Sequence, residues 1–162
     1  APDLMARLFP TGRIASDSRR VVYYFRPSPN GRRVLFGGRT SAGETGTAVA
    51  AVRLRAAMCA VFPELVQARI THAWSGYVGF TFDSLVHTDS RDHIHHAMGY
   101  CGSGVGMASY LGWKAGLRVL GLPGGETALM RPVFPTRPLY SGDPWFLPAT
   151  VATYRMLDRL GL

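Results

Sequence analysis

The pattern of hydrophobic and polar positions first indicates a β-hairpin near the start of the chain. Residues 21–26 (VVYYFR) and 33–37 (RVLFG) are rich in β-branched and aromatic side chains, which favour strands. The segment between them ends in Asn30-Gly31, a pair that readily adopts positive φ. These features predict two antiparallel strands joined by a slightly extended loop.

A helical period follows in residues 48–61, which are rich in alanine. Its apolar side chains recur at spacings of three and four, at Ala51, Leu54, Met58 and Val61. Thr47 is the predicted N-cap, and Pro63 is expected to end the helix.

Strand patterns return in the middle of the chain. Residues 68–74 alternate Ile70, His72 and Trp74 with smaller or polar residues, and residues 77–82 are expected to continue that strand. Residues 92–98 read as another strand that ends at a glycine-rich turn.

The rest of the chain predicts two helices separated by a loop. One helix begins in the glycine-rich turn and ends near Leu120, residues 121–148 form an extended loop, and residues 149–160 form a short amphipathic helix. Because strands and helices do not alternate as βαβ units, we predict an α+β fold, mainly an antiparallel sheet with flanking helices.

Composition narrows the classes of protein. The 162 residues are 47% hydrophobic and 17% charged, which excludes intrinsic disorder, and no segment is apolar for long enough to span a membrane. The net charge of +8 leaves open a freestanding basic module that binds nucleic acid or an acidic partner. Nucleic acid is not expected, however, because the arginines are scattered.

The two cysteines, Cys59 and Cys101, are too few for a disulfide framework and predict a reducing, cytoplasmic location. The chain begins with Ala1 rather than methionine, which predicts a processed or partial chain.

The most informative segment is the Gly-x-Gly-x-Gly turn at residues 99–106, where a strand passes into a helix. A helix N-terminus carries unpaired N–H groups and a partial positive charge, so it stabilises an anion in front of it. The turn lacks both the Gly-x-Gly-x-x-Gly spacing of a dinucleotide site and the lysine of a phosphate-binding loop. Glycines that serve only tight turn geometry are the alternative.

Small residues also recur every fourth position along the following helix, at Gly104, Ala108, Gly112 and Gly116. Glycine in a helix costs about 1 kcal/mol relative to alanine. A repeated cost along one ridge predicts a partner that packs very closely, such as another backbone or a flat cofactor ring.

Several motifs occur in order along the chain: Arg33-Val34-Leu35-Phe36-Gly37-Gly38-Arg39, Phe62-Pro63-Glu64-Leu65, Ile70-x-x-x-Trp74-x-Gly76, Thr81-x-Asp83, and His93-Ile94-His95-x-Ala97-x-Gly99-Tyr100-x-Gly102-x-Gly104-Val105. Together they resemble the C-terminal part of the FAD-dependent D-amino-acid-oxidase-like family, especially its glycine-oxidase, sarcosine-oxidase and γ-glutamylputrescine-oxidase branches. The tail from Phe134 to Pro148 is similar to the ending of the putrescine-related branch.

The resemblance implies a C-terminal fragment of an enzyme that oxidises a C–N bond of an amine or amino acid by hydride transfer to flavin. The Rossmann half that binds most of the FAD is absent, so the fragment alone is expected to be inactive. The implied parts are a substrate-binding sheet and helix (residues 1–98), a flavin-facing turn and helix (99–121) and a proline-rich tail with a short helix (122–162).

The implied cofactor contacts are Gly102, Ser103, Gly104, Val105 and Gly106, with no catalytic residue assigned. The FAD is expected to be non-covalent, since Gly76 stands near the position where sarcosine oxidases attach flavin through cysteine.

Two departures bear on the substrate. Ser103 replaces a common histidine, and Gly106 stands where sarcosine oxidases have a lysine that helps to bind a substrate carboxylate. An amine is therefore better supported than an amino acid, although a decayed enzyme that serves as a subunit interface remains open.

The resemblance also places Trp74, Tyr77 and Phe80 beside the flavin as candidate substrate contacts, with core packing as the alternative. Arg39 is a further candidate, for an acidic substrate group, or else a surface arginine.

No metal site is predicted, because His93 and His95 on one strand face match no closed zinc pattern. Cys101 precedes a helix N-terminus, but no catalytic triad order accompanies it.

Overall fold

The computed structural model describes residues 2–131 and 133–162, which form two units. The first unit comprises Ala1–Ser75 and Pro144–Leu162, and the second comprises Gly76–Asp143. The strands are β1 (Ala15–Ser16), β2 (Tyr23–Pro27), β3 (Val34–Gly38), β4 (His87–Arg91) and β5 (Ile94–Met98). The helices are α1 (Pro2–Leu8), α2 (Thr47–Val61), α3 (Gly104–Val119) and α4 (Leu147–Leu160), with a 3-10 turn at Pro63–Leu65.

The predicted hairpin is confirmed in the first unit. Strands β2 and β3 pair antiparallel, with Phe25 opposite Phe36, and β1 adds to the free edge of β2. The loop is closed by Asn30, whose Oδ1 accepts hydrogen bonds from the Ser28 hydroxyl (2.7 Å) and the Arg32 amide (3.2 Å). Gly31 supplies the positive φ of +65° that the turn requires.

An aromatic cluster joins the sheet to the helices of the first unit. The ring of Phe25 stacks on Phe36 (5.9 Å between centroids) and meets Phe62 edge-on at 4.9 Å. Phe9, which follows α1, contacts Phe62 at 5.5 Å. Because aromatic rings bury large apolar areas, this cluster fixes α1, the sheet and the end of α2 around one core.

The second unit contains a β-hairpin whose two strands are joined by a two-residue turn. Strands β4 and β5 pair antiparallel from His87 opposite Met98 to Arg91 opposite Ile94. Asp92 and His93 both have positive φ (51° and 63°), as a type I′ turn requires. Helix α3 packs against β5 and places Leu111, which is fully buried, in the core.

Three local predictions are wrong. Residues 68–74 and 77–82 form no strand: residues 69–80 are exposed, and alternation alone makes no strand without a neighbouring strand to pair with. Residues 92–98 do not form one strand, because the type I′ turn takes up the first two residues, so His93 and His95 do not share a strand face. Thr47 is the first helical residue of α2, and Gly46 is the N-cap.

The predicted fold class is confirmed as α+β, with small antiparallel sheets and flanking helices. The predicted helices in residues 48–61, 104–120 and 149–160 correspond to α2, α3 and α4. In the described part of the chain, no helix is both long and apolar enough to cross a membrane.

Leu111→Ala is predicted to destabilise the protein by about 2–5 kcal/mol, because the truncation leaves a cavity beneath α3. The matched control is Leu120→Ala, which removes the same atoms from a side chain that is 71% exposed at the end of the same helix. Chemical unfolding monitored by circular dichroism measures both. Equal losses in the two variants would contradict the assigned core.

Candidate functional site

The glycine-rich turn follows β5, and three of its residues have backbone angles in the left-handed region. These are Gly99 (φ +76°), Cys101 (φ +50°) and Gly102 (φ +99°). Residues with a side chain rarely adopt such backbone angles, which explains two of the four glycines in residues 99–106, Gly99 and Gly102. Ser103 then serves as the N-cap of α3, although its side chain makes no capping hydrogen bond.

The turn is held by the segment that precedes β4. The Cys101 amide donates to the Gly79 carbonyl at 3.0 Å, and the Cys101 thiol donates to the Gly99 carbonyl at 3.3 Å. A Cβ atom on Gly99 would lie 2.4 Å from Cγ2 of Thr81, so only glycine fits there without a shift. The thiol of Cys101 therefore has a structural role in this turn.

The first turn of α3 presents unpaired backbone donors. Among the described residues, the amides of Gly104, Val105 and Gly106 have no acceptor, whereas the Met107 amide bonds to the Ser103 carbonyl at 3.2 Å. Val105 is 96% exposed, and the space beside Gly102 and Gly106 is open within the described structure. Such amides, together with the helix dipole, favour a negatively charged or electronegative group in front of the helix.

The small-residue ridge of α3 is also open. Ala108, Gly112 and Gly116 are exposed, and no described atom lies within 4 Å of where a Cβ would stand on Gly112 or Gly116. Gly104 alone of the four is partly covered, by the Tyr100 side chain at 3.8 Å. The second unit therefore does not fill this ridge with its own side chains.

A pocket of about 420 Å³ lies against the same turn. Its wall includes Phe80, Tyr100, Cys101, Ser103 and Met107. Two residues that the sequence proposed for different roles, Phe80 for substrate and Ser103 for cofactor, thus share one cavity.

An ion-pair network lies next to β4 in the second unit. The Asp83 carboxylate contacts Nε2 of the fully buried His87 at 3.1 Å and the Arg131 guanidinium at 3.6 Å. The hydrogen bond to His87 lowers the pKa of Asp83 to about 2. The Nδ1 atom of His87 is buried without a hydrogen-bond partner in the described structure. Sequence reasoning missed this pair, although a four-residue spacing of Asp and His was a visible signal.

The remaining predicted site residues lie elsewhere. Trp74 belongs to the first unit and Tyr77 to the second, and both are exposed. Arg39 follows β3 and lines a pocket within the first unit. His95 contacts the Ser90 hydroxyl through Nδ1 at 2.6 Å. Across residues 2–131 and 133–162, no group of three or more His, Cys, Asp or Glu side chains is arranged to hold a metal ion.

Comparison with known proteins decides the family. The family described as FAD dependent oxidoreductase matches residues 2–116, which is more than half of the chain. The chain belongs to this family of FAD-dependent oxidoreductases. The resemblance drawn from the motifs is therefore confirmed.

Two curated proteins that are similar to the chain are described as probable oxidoreductases. The chain is 37% identical over 106 residues to the probable oxidoreductase OrdL of Rhizobium meliloti, a match that covers 65% of this chain and 24% of that protein. It is 31% identical over 111 residues to the probable oxidoreductase OrdL of Haemophilus influenzae, covering 68% and 25%. The match thus spans about a quarter of each relative's length. No solved structure matches the chain.

Gly99→Ala is predicted to destabilise the oxidoreductase by about 1–3 kcal/mol, because the new methyl group meets Thr81 Cγ2 and the backbone angle becomes strained. Thr81→Ser removes Cγ2 but keeps the hydroxyl that donates to the Leu85 carbonyl. The cost of Gly99→Ala is therefore expected to be smaller in the Thr81→Ser background. Urea unfolding of the single and double variants tests this, and strictly additive losses would contradict the close contact.

Proposed function

We propose that this chain is the substrate-side and flavin-facing C-terminal part of an FAD-dependent oxidoreductase that oxidises a C–N bond of an amine or amino acid. The observation that carries the proposal is the open N-terminus of α3, with unpaired amides at Gly104, Val105 and Gly106, in a member of this family. In this division, residues 1–98 form the substrate side, residues 99–121 face the flavin and residues 122–162 form the tail.

The residues at the turn fit the flavin chemically. Gly102, Ser103, Gly104, Val105 and Gly106 line the proposed contact, and the amides of Gly104, Val105 and Gly106 are its unpaired donors. The Ser103 amide already donates to the Tyr100 carbonyl at 2.8 Å, and no described side chain covers Gly102 or Gly106. FAD, when bound, accepts a hydride from the carbon next to the amine nitrogen. The part that we assign to this chain is to hold fixed N–H dipoles toward the side of the cofactor where negative charge develops, so that no reorganisation is needed during the reaction.

The ridge of α3 supports a closely packed neighbour. Two interior glycines, Gly112 and Gly116, each cost the helix about 1 kcal/mol relative to alanine. Since the second unit leaves both of them open, we assign the ridge to contact with the FAD-binding half of the enzyme. The relatives are about four times longer than the matched segment, which leaves room for that half.

Fewer structural observations support the proposed substrate contacts than the proposed flavin contacts. Phe80 shares the 420 Å³ pocket with Ser103, while Trp74, Tyr77 and Arg39 stay candidates on exposed or separate surfaces. An amine is favoured over an amino acid, because glycine stands at position 106 in place of a carboxylate-binding lysine.

Two further details complete the proposal. Glycine at position 76 supports non-covalent FAD, and the free thiols of Cys59 and Cys101 support a cytoplasmic location.

The intact protein that carries this chain is predicted to purify with a flavin absorbance spectrum. Anaerobic addition of a primary or secondary amine, such as a polyamine, is expected to bleach that spectrum, whereas the isolated chain is expected to hold no flavin. A panel of amines and amino acids, followed by stopped-flow absorbance, measures the effect. An intact protein without flavin, or a near-stoichiometric flavin spectrum in the isolated chain, would contradict the proposal.

Gly112→Leu is predicted to weaken FAD retention in the intact protein about tenfold, because the bulk of the side chain forces the ridge away from its partner. The helix itself should tolerate leucine, which has the higher helix propensity. The control is Gly43→Leu, at a loop glycine that also has open space around it in the described structure. Flavin release on dilution, followed by fluorescence, compares the variants. Equal retention would remove the assigned contact.

A further inference from the structure

We propose that a pocket in the first unit binds a small molecule that bears a diphosphate group. The pocket lies within Ala1–Ser75 and Pro144–Leu162, and its volume is about 630 Å³. The inference concerns residues outside the glycine-rich turn, and it assigns Arg39, a candidate substrate contact above, to a different ligand. It rests on the proposed function only in that its test uses the flavin-loaded protein, whose flavin spectrum is checked first.

Positively charged side chains dominate the wall of this pocket. Residues from the loop before β2, the end of β3, α2 and α4 contribute to it. Its charged residues are Arg19, Arg39, Arg53, Arg155, Asp158 and Arg159. The wall therefore contains five arginines and one aspartate, with Arg39 and Arg155 half-buried and the other three arginines exposed. The hydrophobic side chains of Val21 and Leu54 complete part of the wall.

Two of the guanidinium groups converge on one backbone oxygen. Arg53, from α2, donates to the Thr40 carbonyl at 3.3 Å, and Arg155, from α4, donates to the same oxygen at 3.0 Å. Like charges are thus held close together by two different helices. A neutral carbonyl fixes their positions but does not compensate for their mutual repulsion.

Carboxylates of the unit offset only part of the positive charge of the cluster. Within the described residues, no acidic side chain lies within ion-pair distance of Arg39, Arg53, Arg155 or Arg159. Asp158 accepts backbone hydrogen bonds from the amides of Arg20 (2.8 Å) and Val21 (3.0 Å), which lower its pKa and keep it negatively charged. The wall therefore combines five positive charges with one negative charge.

Within residues 2–131 and 133–162, Arg19 is the one arginine of the five with an ion-pair partner. Its Nε lies 3.5 Å from the Asp17 carboxylate, and its guanidinium stacks over the Tyr23 ring. Four of the five cations thus have no acidic partner among the described residues, and two of them, Arg53 and Arg155, keep further N–H donors beside the one that each gives to Thr40.

The chemistry of guanidinium groups selects the ligand class. Each planar fork donates two parallel hydrogen bonds to a carboxylate or phosphate. A carboxylate offers only two oxygens and one charge, whereas a diphosphate offers more oxygens and charges than one or two forks can satisfy. The concave volume suits a small molecule, and it differs from the extended basic stripe along which a nucleic acid binds.

The test uses the intact protein with its flavin bound, so that the cofactor site is filled. Isothermal titration with inorganic pyrophosphate is expected to show binding that weakens as ionic strength rises. Orthophosphate and succinate are expected to bind more weakly, and ADP is expected to compete with pyrophosphate. No pyrophosphate binding, succinate binding as tight as that of pyrophosphate, or ADP that does not compete would each overturn the proposal.

Variants locate the site. Arg53→Gln and Arg159→Gln are each expected to weaken pyrophosphate binding about tenfold or more, through the loss of one charge-assisted contact. Arg159→Lys, which keeps the charge but loses the fork, is expected to restore only part of the affinity. The control is Arg32→Gln, at an exposed arginine of the β2–β3 loop. Unchanged affinity in both glutamine variants, or an equal loss in the control, would place the anion elsewhere and overturn the assignment.

Discussion

The left-handed backbone between β5 and α3 is the constraint on which the candidate site depends. Gly99, Cys101 and Gly102 reverse the chain within a few residues, and the Cys101 amide is bonded to the Gly79 carbonyl. The Thr81 methyl group fills the space where a side chain at position 99 would stand, so only glycine fits at that position without a shift. The start of α3, and with it the direction of its unpaired amides, is fixed by this packing.

Helix α3 presents two chemically different faces. One face carries Leu111 into the core of the second unit, while Ala108, Gly112 and Gly116 leave the other face open. If α3 only stabilised its own unit, those glycines would destabilise the helix with no contact to compensate for the loss. In a member of this family, we assign the bare ridge to the contact with the FAD-binding half proposed above.

The distribution of charged side chains in the folded chain is more informative than the net charge. A net charge of +8 first suggested a basic binding module, yet the arginines are scattered along the sequence. Folding of the first unit brings five of them around one cavity, whose wall also carries the negatively charged Asp158. The second unit instead offers neutral N–H donors at a helix end, and its Asp83 carboxylate is paired with His87 and Arg131.

Local sequence determined the elements whose signals are local. The Asn30-Gly31 hairpin, α2, α3 and α4 follow from turn chemistry and helical periodicity, and the ordered motifs were sufficient to identify the oxidoreductase family. The glycine spacing also located the candidate turn. The predicted ends of elements were less accurate than the elements themselves. Helix α2 begins at Thr47 rather than after it, and Asp92 and His93 form a turn rather than the start of a strand.

Only the tertiary structure decided the features that depend on partners distant in sequence. Residues 68–74 alternate like a strand but have no strand beside them, and β4 becomes a strand because β5 folds back onto it. Arg131 joins the Asp83–His87 pair, and Arg53 and Arg155 converge on Thr40, across separations along the chain that carry no periodic signal. Pairing, burial and charge clustering are properties of contacts, so they are settled when the chain folds rather than by the order of its residues alone.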